Sequence, residues 1–474
     1  LRKDDGAEGR IFLKRVYVLL ALLAAVSLTI PFAEPVFYVL GTVLNRPGNA
    51  VPLPSRPLPH DPTEARRQDV ADLGLLPNYD RSFSPEAKAA FQQGVDALDA
   101  KAGALSDAGF EMAVSRLVAL AGNAHTTVSR IQRASAFGRA PLRFAWFADG
   151  LYVVRAKAPV ENLLGRRVLS IDGRPVEQAV AALRPYLSGT VEHARADSPP
   201  VLECPALLQA VWPDTDGMHL AVGLDDGVVE PVTAVAPAPD PFALRPVMVV
   251  GPGTPDDWNT VLAHAPDLPP SLREPERMEF SAPLEGNGIY IRINGDEDDD
   301  NGPLAAQLAA IGAAKPIGGW RRIVLDLRFN HGGFEMKTME FTRSLPRLLI
   351  PDGNLWILTG NTTFSAAIIT AARAKYYLGR RAHIVGETMG DRNPFWTDGG
   401  PPLVLRHSGI AIGHAYFKQD WANGCQDPVH CNPLQFLYGV AAGDLSPEVT
   451  VGWSFADYAA GRDTVMERVL ALSR

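Results

Sequence analysis

Three runs decide how this chain folds: IVLDLRFNHGG at residues 323–333, LWILTGNTTFSAAIITAARAK at 355–375 and AHIVGETMG at 382–390. Each starts as an apolar, β-branched stretch of strand length and ends in a special turn. The first run turns at Gly332-Gly333 after Asn330-His331. The second turns at Ser365, ahead of strong helix formers, and the third at Gly386-Glu387-Thr388. A serine held at a strand-to-helix turn, with glycine amides nearby, is how acyl-transfer enzymes expose a nucleophile. The free N–H groups of a helix N-terminus beyond Ser365 suit an oxyanion. A simple helix-capping serine gives the same local pattern, and Gly332-Gly333 also reads as a plain turn, so neither segment settles the chemistry alone.

Outward from these runs, strands alternate with helices from about residue 278 to the C-terminus. This predicts a mixed α/β (α+β) unit with a partly parallel sheet. At 474 residues the chain exceeds what one hydrophobic core supports, so two or three units are expected. The composition, 46% hydrophobic and 21% charged, is that of a globular protein. The net charge of −8, with no basic stripe, argues against nucleic acid or anionic lipid as the main partner.

Val16–Ala33 is uncharged over 18 residues and follows Lys14-Arg15. It is expected to be an N-terminal membrane anchor that leaves 1–15 as a cytoplasmic tail, or else a cleaved signal peptide. Either way the remainder is exported, to the periplasm or the cell exterior. A Pro-rich linker spans 34–62 and a helical region 63–135. A β-rich module covers 136–230, with strand-like LRFAWFA, GLYVVRA and RRVLSIDGRPV. A second Pro-rich stretch, 231–277, reads as a connector or irregular edge before the α/β core at 278–474.

Cys425 and Cys431 lie six apart in a Gly/Asn/Pro-rich loop, a spacing that in an exported chain points to a local disulfide. His430 beside them keeps a zinc reading open. Cys204 reads as a small buried residue. The acidic run beginning at Asp296 invites a calcium loop, but Asn301 stands where an EF-hand needs Gly and Gln307 where it needs Glu. A solvated loop is the expectation there.

A histidine is the usual proton acceptor for a serine. His331, in the glycine turn, is one candidate. His125, in GNAHTTV just past an amphipathic helix, is another.

In order, GNAHTTV, LLGRRVLSIDGRPVEQAVAAL, DLRFNHGG, TGNTTFSAA, VGETMG and LSPEVTVGWSFADYAAGRDTVMERVL resemble the S41 peptidases, the C-terminal processing and tricorn-type proteases. The resemblance implies a PDZ-like module at 136–230 and an S41-type core at 278–474. It makes Ser365 the nucleophile and the amides of Ala366 and of Gly332 or Gly333 the oxyanion hole. The processing branch takes its base from a lysine after the "GExT" strand, but GETMGDRN contains none, and Arg392 cannot substitute because a guanidinium keeps its proton.

The tricorn-like branch uses a histidine from the His-Thr segment, a slot that His125 fills. The serine that precedes that histidine in the branch is Ala124 here, and its glutamate has no clear match; Asp420 and Glu387 are the nearest acidic candidates. Pro447 is followed by Glu448 where the family pattern has Asp. The resemblance therefore implies a membrane-tethered serine peptidase that needs no cofactor. Its substrate would be a protein or peptide, possibly one bound through its C-terminus. An inert scaffold on the same fold, or an esterase-type acyl hydrolase on the same site, are the alternatives.

Overall fold

The apolar runs that open the sequence become the centre of a six-stranded sheet. Its order is Val449–Thr450, Ala382–Gly386, Leu349–Thr359, Trp320–Asp326, Gly288–Ile293, Glu279–Leu284. All neighbours are parallel except the last pair, which is antiparallel. The computed structural model describes residues 50–473 apart from 243–245, 254–256, 266, 428, 433–434 and 436–438. The expected anchor at Val16–Ala33 and the tail before it lie outside the described residues. Among the described residues no helix is long and apolar enough to cross a membrane.

Successive side chains of a strand point to opposite faces, so a strand buried on both faces is apolar throughout. Ile323, Leu325, Leu355, Ile357 and Ile384 pack on one face with the helices Leu304–Ala313, Met339–Leu348 and Ala366–Leu378. Val324, Trp356, Leu358 and Val385 face the other way, against Val465, Met466 and Val469 of the C-terminal helix Thr464–Leu472. Truncating a side chain such as Ile357 to Ala would cost about 2–5 kcal/mol.

A second, antiparallel sheet runs Leu142–Phe147, Gly150–Ala156, Arg167–Ile171, His219–Leu224, Val229–Thr233. Asp172 and Gly173, at φ 49° and 73°, make the tight turn between Ile171 and Arg174. The helix Val176–Leu183 contributes Val176, Ala179 and Leu183 to the core of this sheet.

The Pro-rich stretch at 231–277 is more than a connector. Asn259–Thr260 pairs with Gly150–Ala156, and Phe242 and Trp258 are buried edge to face. Its backbone is fixed by Arg155, which donates to the carbonyls of Met248, Val249 and Gly251. The helices Pro62–Leu73, Pro85–Asp99 and Asp107–Val118 pack with the late hairpin residues Leu403, Leu405, Ile410 and Ile412. Pro47–Arg474 forms one compact unit. Its sheets and helical layer pack against one another.

Candidate active site

Ser365 sits where the strand Leu349–Thr359 gives way to the helix Ala366–Leu378. The turn between them is tied to the neighbouring loop. Thr363 Oγ1 donates to Leu327 O at 2.8 Å, and Phe364 N–H donates to Asn330 O at 3.0 Å. Held this way, Ser365 takes φ 55° and ψ −121°, a region that L-residues avoid at a cost of about 1–3 kcal/mol. Although it occupies the N-cap position, its side chain makes no capping bond. Its Oγ lies 2.9 Å from His125 Nε2 instead.

His125 comes from the other end of the molecule, 240 residues away in sequence. Its loop is anchored by the buried Asp80, which accepts from Thr126 Oγ1 at 2.6 Å and Ala415 N–H at 2.9 Å. The imidazole stacks on Phe364 (centroids 4.4 Å apart) and on Phe395 (5.6 Å). His331 points elsewhere. Its Nδ1 donates to Asn294 O at 3.2 Å, and its Nε2 is 3.8 Å from Glu297.

The carboxylate facing His125 is Asp391, with Oδ2 3.8 Å from Nδ1. Both atoms are buried and, among the described residues, without a hydrogen-bond partner. Neither acidic candidate from the sequence occupies this place. Asp420 accepts from Asn393 and Asn423. Glu387 faces a cavity bounded by Thr359–Thr362 and Trp453.

Burial pushes the His125 imidazole down to about 3, with a smaller push from His193. Burial likewise raises Asp391 to about 6, against the opposing pull of His193 and Arg392. The Asp391 loop rests on the antiparallel module: Thr190 Oγ1 donates to Gly390 O at 3.0 Å, and His193 on the same short helix pairs with Asp197 at 3.2 Å.

On the opposite side of Ser365 the glycine turn is fully braced. Gly332 packs so closely that a Cβ there would sit 2.6 Å from Ser365 Cβ. Its N–H donates to Asn330 Oδ1 at 2.8 Å, and Asn330 Nδ2 donates to Asp296 Oδ1 at 2.8 Å. Asp296 Oδ2 accepts the hydroxyls of Thr338 and Thr370 at 3.2 and 3.1 Å. Of the two glycine amides, Gly332's is therefore occupied. Among the described residues the N–H groups of Gly333 and Ala366 have no partner.

Asp296, expected in a solvated loop, is fully buried. Its chemistry is structural, and no group of residues fit to hold a metal occurs among those described. Cys425 and Cys431 are joined in a disulfide, and His430 pairs with Asp427 at 2.7 Å, so this loop has no thiolate left for zinc. Cys204 is buried and free.

Neither a protein-family model nor a curated protein matches the sequence. Solved structures do. Mature CPAF complexed with lactacystin aligns with TM-score 0.50 at 13% identity, covering 87% of this chain and 98% of that one. A CPAF serine-to-alanine mutant aligns with TM-score 0.50 at 11% identity, covering 87% and 96%. The chain shares its fold with CPAF. A putative S41 protease from Bacteroides fragilis also matches, at 12% identity and TM-score 0.28, over 70% of this chain and 82% of that one. The resemblance carried by the sequence motifs is thus borne out at the level of the fold.

Asp391, Asn330 and Asp296 are the site residues that sequence reading missed. Asp391 stands in GETMGDRN, four residues after the acidic candidate Glu387; its acid character was the available signal.

Proposed function

We propose that the chain is a serine peptidase, exported and tethered by Val16–Ala33. The observation that carries this reading is the 2.9 Å contact from His125 Nε2 to an uncapped Ser365 held at positive φ. Ser365 Oγ attacks the peptide carbonyl carbon and its proton passes to Nε2. The oxyanion forms against the N–H groups of Gly333 and Ala366, each worth about 3–4 kcal/mol in such sites. His125 then protonates the departing amine, and the ester left on Ser365 is cleaved by water through the same base.

A buried imidazole titrating near 3 is a poor base on its own. Ionised Asp391, 3.8 Å from Nδ1, attracts the imidazolium by about 4 kcal/mol at an effective dielectric of ~20. That raises the proton affinity of the imidazole, in the direction a general base needs. The module at 136–230, read as PDZ-like, would present substrate by strand addition.

A fluorophosphonate probe tests the mechanism. Wild-type protein is expected to label at Ser365 and to cleave unstructured peptides, and Ser365→Ala to do neither. Cleavage that survives Ser365→Ala would overturn the mechanism, and a wild type that does not label would favour the inert scaffold.

A further inference from the structure

Beside the turn that leads to Ser365 lies a cavity of about 240 Å³, between the strand Leu142–Phe147 of the antiparallel module and the residues Thr359–Thr362. This is smaller than the ~300–1,000 Å³ of clefts that take whole small molecules, and it suits one long side chain. Its apolar wall is aromatic: Trp146, Phe147, Phe329 and Trp453.

The charges around the cavity are engaged, with one exception. Arg328 bonds to Asp326 and Asp463. Arg139 and Arg143 share Glu203 and Asp240. Arg195 pairs with Glu177, and Asp197 with His193. Glu387 alone among these lining groups has neither a hydrogen bond nor an ion pair from its carboxylate within the described residues. Its Oε1 lies over Gly452, where a Cβ would come within 3.3 Å. Its backbone is locked, because Glu387 N–H donates to Thr359 O at 2.9 Å and Thr359 Oγ1 donates to Glu387 O at 2.8 Å. Burial raises its carboxyl above the usual range, with Arg328 and Arg195 opposing only from a distance, as for a carboxylate short of a counter-charge.

We propose that this cavity is a specificity pocket for a basic substrate side chain, its aromatic wall taking the aliphatic stem of Lys or Arg and Glu387 taking the cation. This rests on the peptidase reading. An apolar wall ending in a lone carboxylate matches a side chain that is greasy along its length and charged at its tip. A substrate α-amine has the same charge without the stem.

The test measures binding of blocked peptides to the Ser365→Ala protein, where nothing is cleaved. In the peptide set, one position at a time is Lys, Arg or norleucine, and a parallel norleucine set carries a free N-terminus. At one position, Lys or Arg is expected to bind about tenfold more tightly than norleucine. Glu387→Gln in the same background should erase that preference while norleucine binding stays within about twofold and the melting temperature is kept.

Equal binding of Lys and norleucine peptides at every position overturns the proposal, as does a preference that survives Glu387→Gln. Glu387-dependent binding of the free N-terminus without a Lys or Arg preference overturns the side-chain assignment. Fluorophosphonate labelling of the wild type is read separately. A protein that keeps the Lys preference but never labels sinks the peptidase reading and leaves the pocket standing.

Discussion

The two sides of Ser365 are built differently. On the oxyanion side every link is closed, from Gly332 through Asn330 to Asp296 and the threonine hydroxyls beyond it. On the base side the last link is open, with His125 Nδ1 and Asp391 Oδ2 both buried, without a hydrogen-bond partner among the described residues, and 3.8 Å apart. Preorganised donors cost nothing to align when charge develops. A neutral histidine and an ionised carboxylate left slightly apart attract strongly once the proton reaches the ring. The contrast separates a rigid half of the site from a half that needs about an ångström of closure to complete it.

Removing the base breaks the comparison most severely. His125→Ala should lower kcat by roughly 10⁴–10⁶, the scale on which such nucleophile–base pairs act. The measurement is steady-state cleavage of an unstructured peptide, and a loss under tenfold would exclude His125 as the base.

Asp391→Asn sharpens the contrast because it should move activity and stability in opposite directions. It keeps the shape but removes the charge, so kcat should fall by about 10²–10⁴. The folded carboxyl titrates near 6, above its usual 3.8, so above pH 6 the fold carries a buried charge costing up to about 3 kcal/mol. The Asn variant should therefore unfold at higher denaturant near neutral pH. As pH falls from about 6 to 4, the wild type recovers that stability and the difference shrinks. On the rigid side, Asp296→Ala strands Asn330 and two hydroxyls, and should lower unfolding free energy by about 2–4 kcal/mol.

The mildest prediction is the pH profile. Burial holds the His125 imidazole down near 3 and raises Asp391 to about 6, and ionised Asp391 lifts His125 in turn, so the acid limb belongs to the coupled pair. Activity should fall about tenfold per pH step below about 6. An acid limb that persists unchanged in Asp391→Asn would contradict this assignment.

How far the sequence reveals these halves follows from what each depends on. The central strands were legible because burial on both faces writes an unbroken apolar run, as in 323–325 and 355–358. Ser365 was legible from the switch of strand to helix. His125 emerged only from the order of motifs along the chain, since nothing local marks one histidine among ten.

Asp391 stayed hidden because its role depends on a ring delivered from 266 positions upstream. Asp296 was obscured by its own neighbours. It heads a run of exposed acids, and only the fold shows that its side chain turns inward to Asn330. The Pro-rich stretch at 231–277 hid packing of a different kind, a backbone secured by the Arg155 guanidinium rather than by regular pairing.

The most direct test of the account is a crystal structure with a peptide boronate, whose tetrahedral boron stands in for the transition state. The account predicts a bond from boron to Ser365 Oγ, with a boronate oxygen at the Gly333 and Ala366 amides. His125 Nδ1 and Asp391 Oδ2 should close from 3.8 Å to about 2.8 Å. A boronate bound elsewhere, or a His125–Asp391 gap that stays open in the complex, would contradict it.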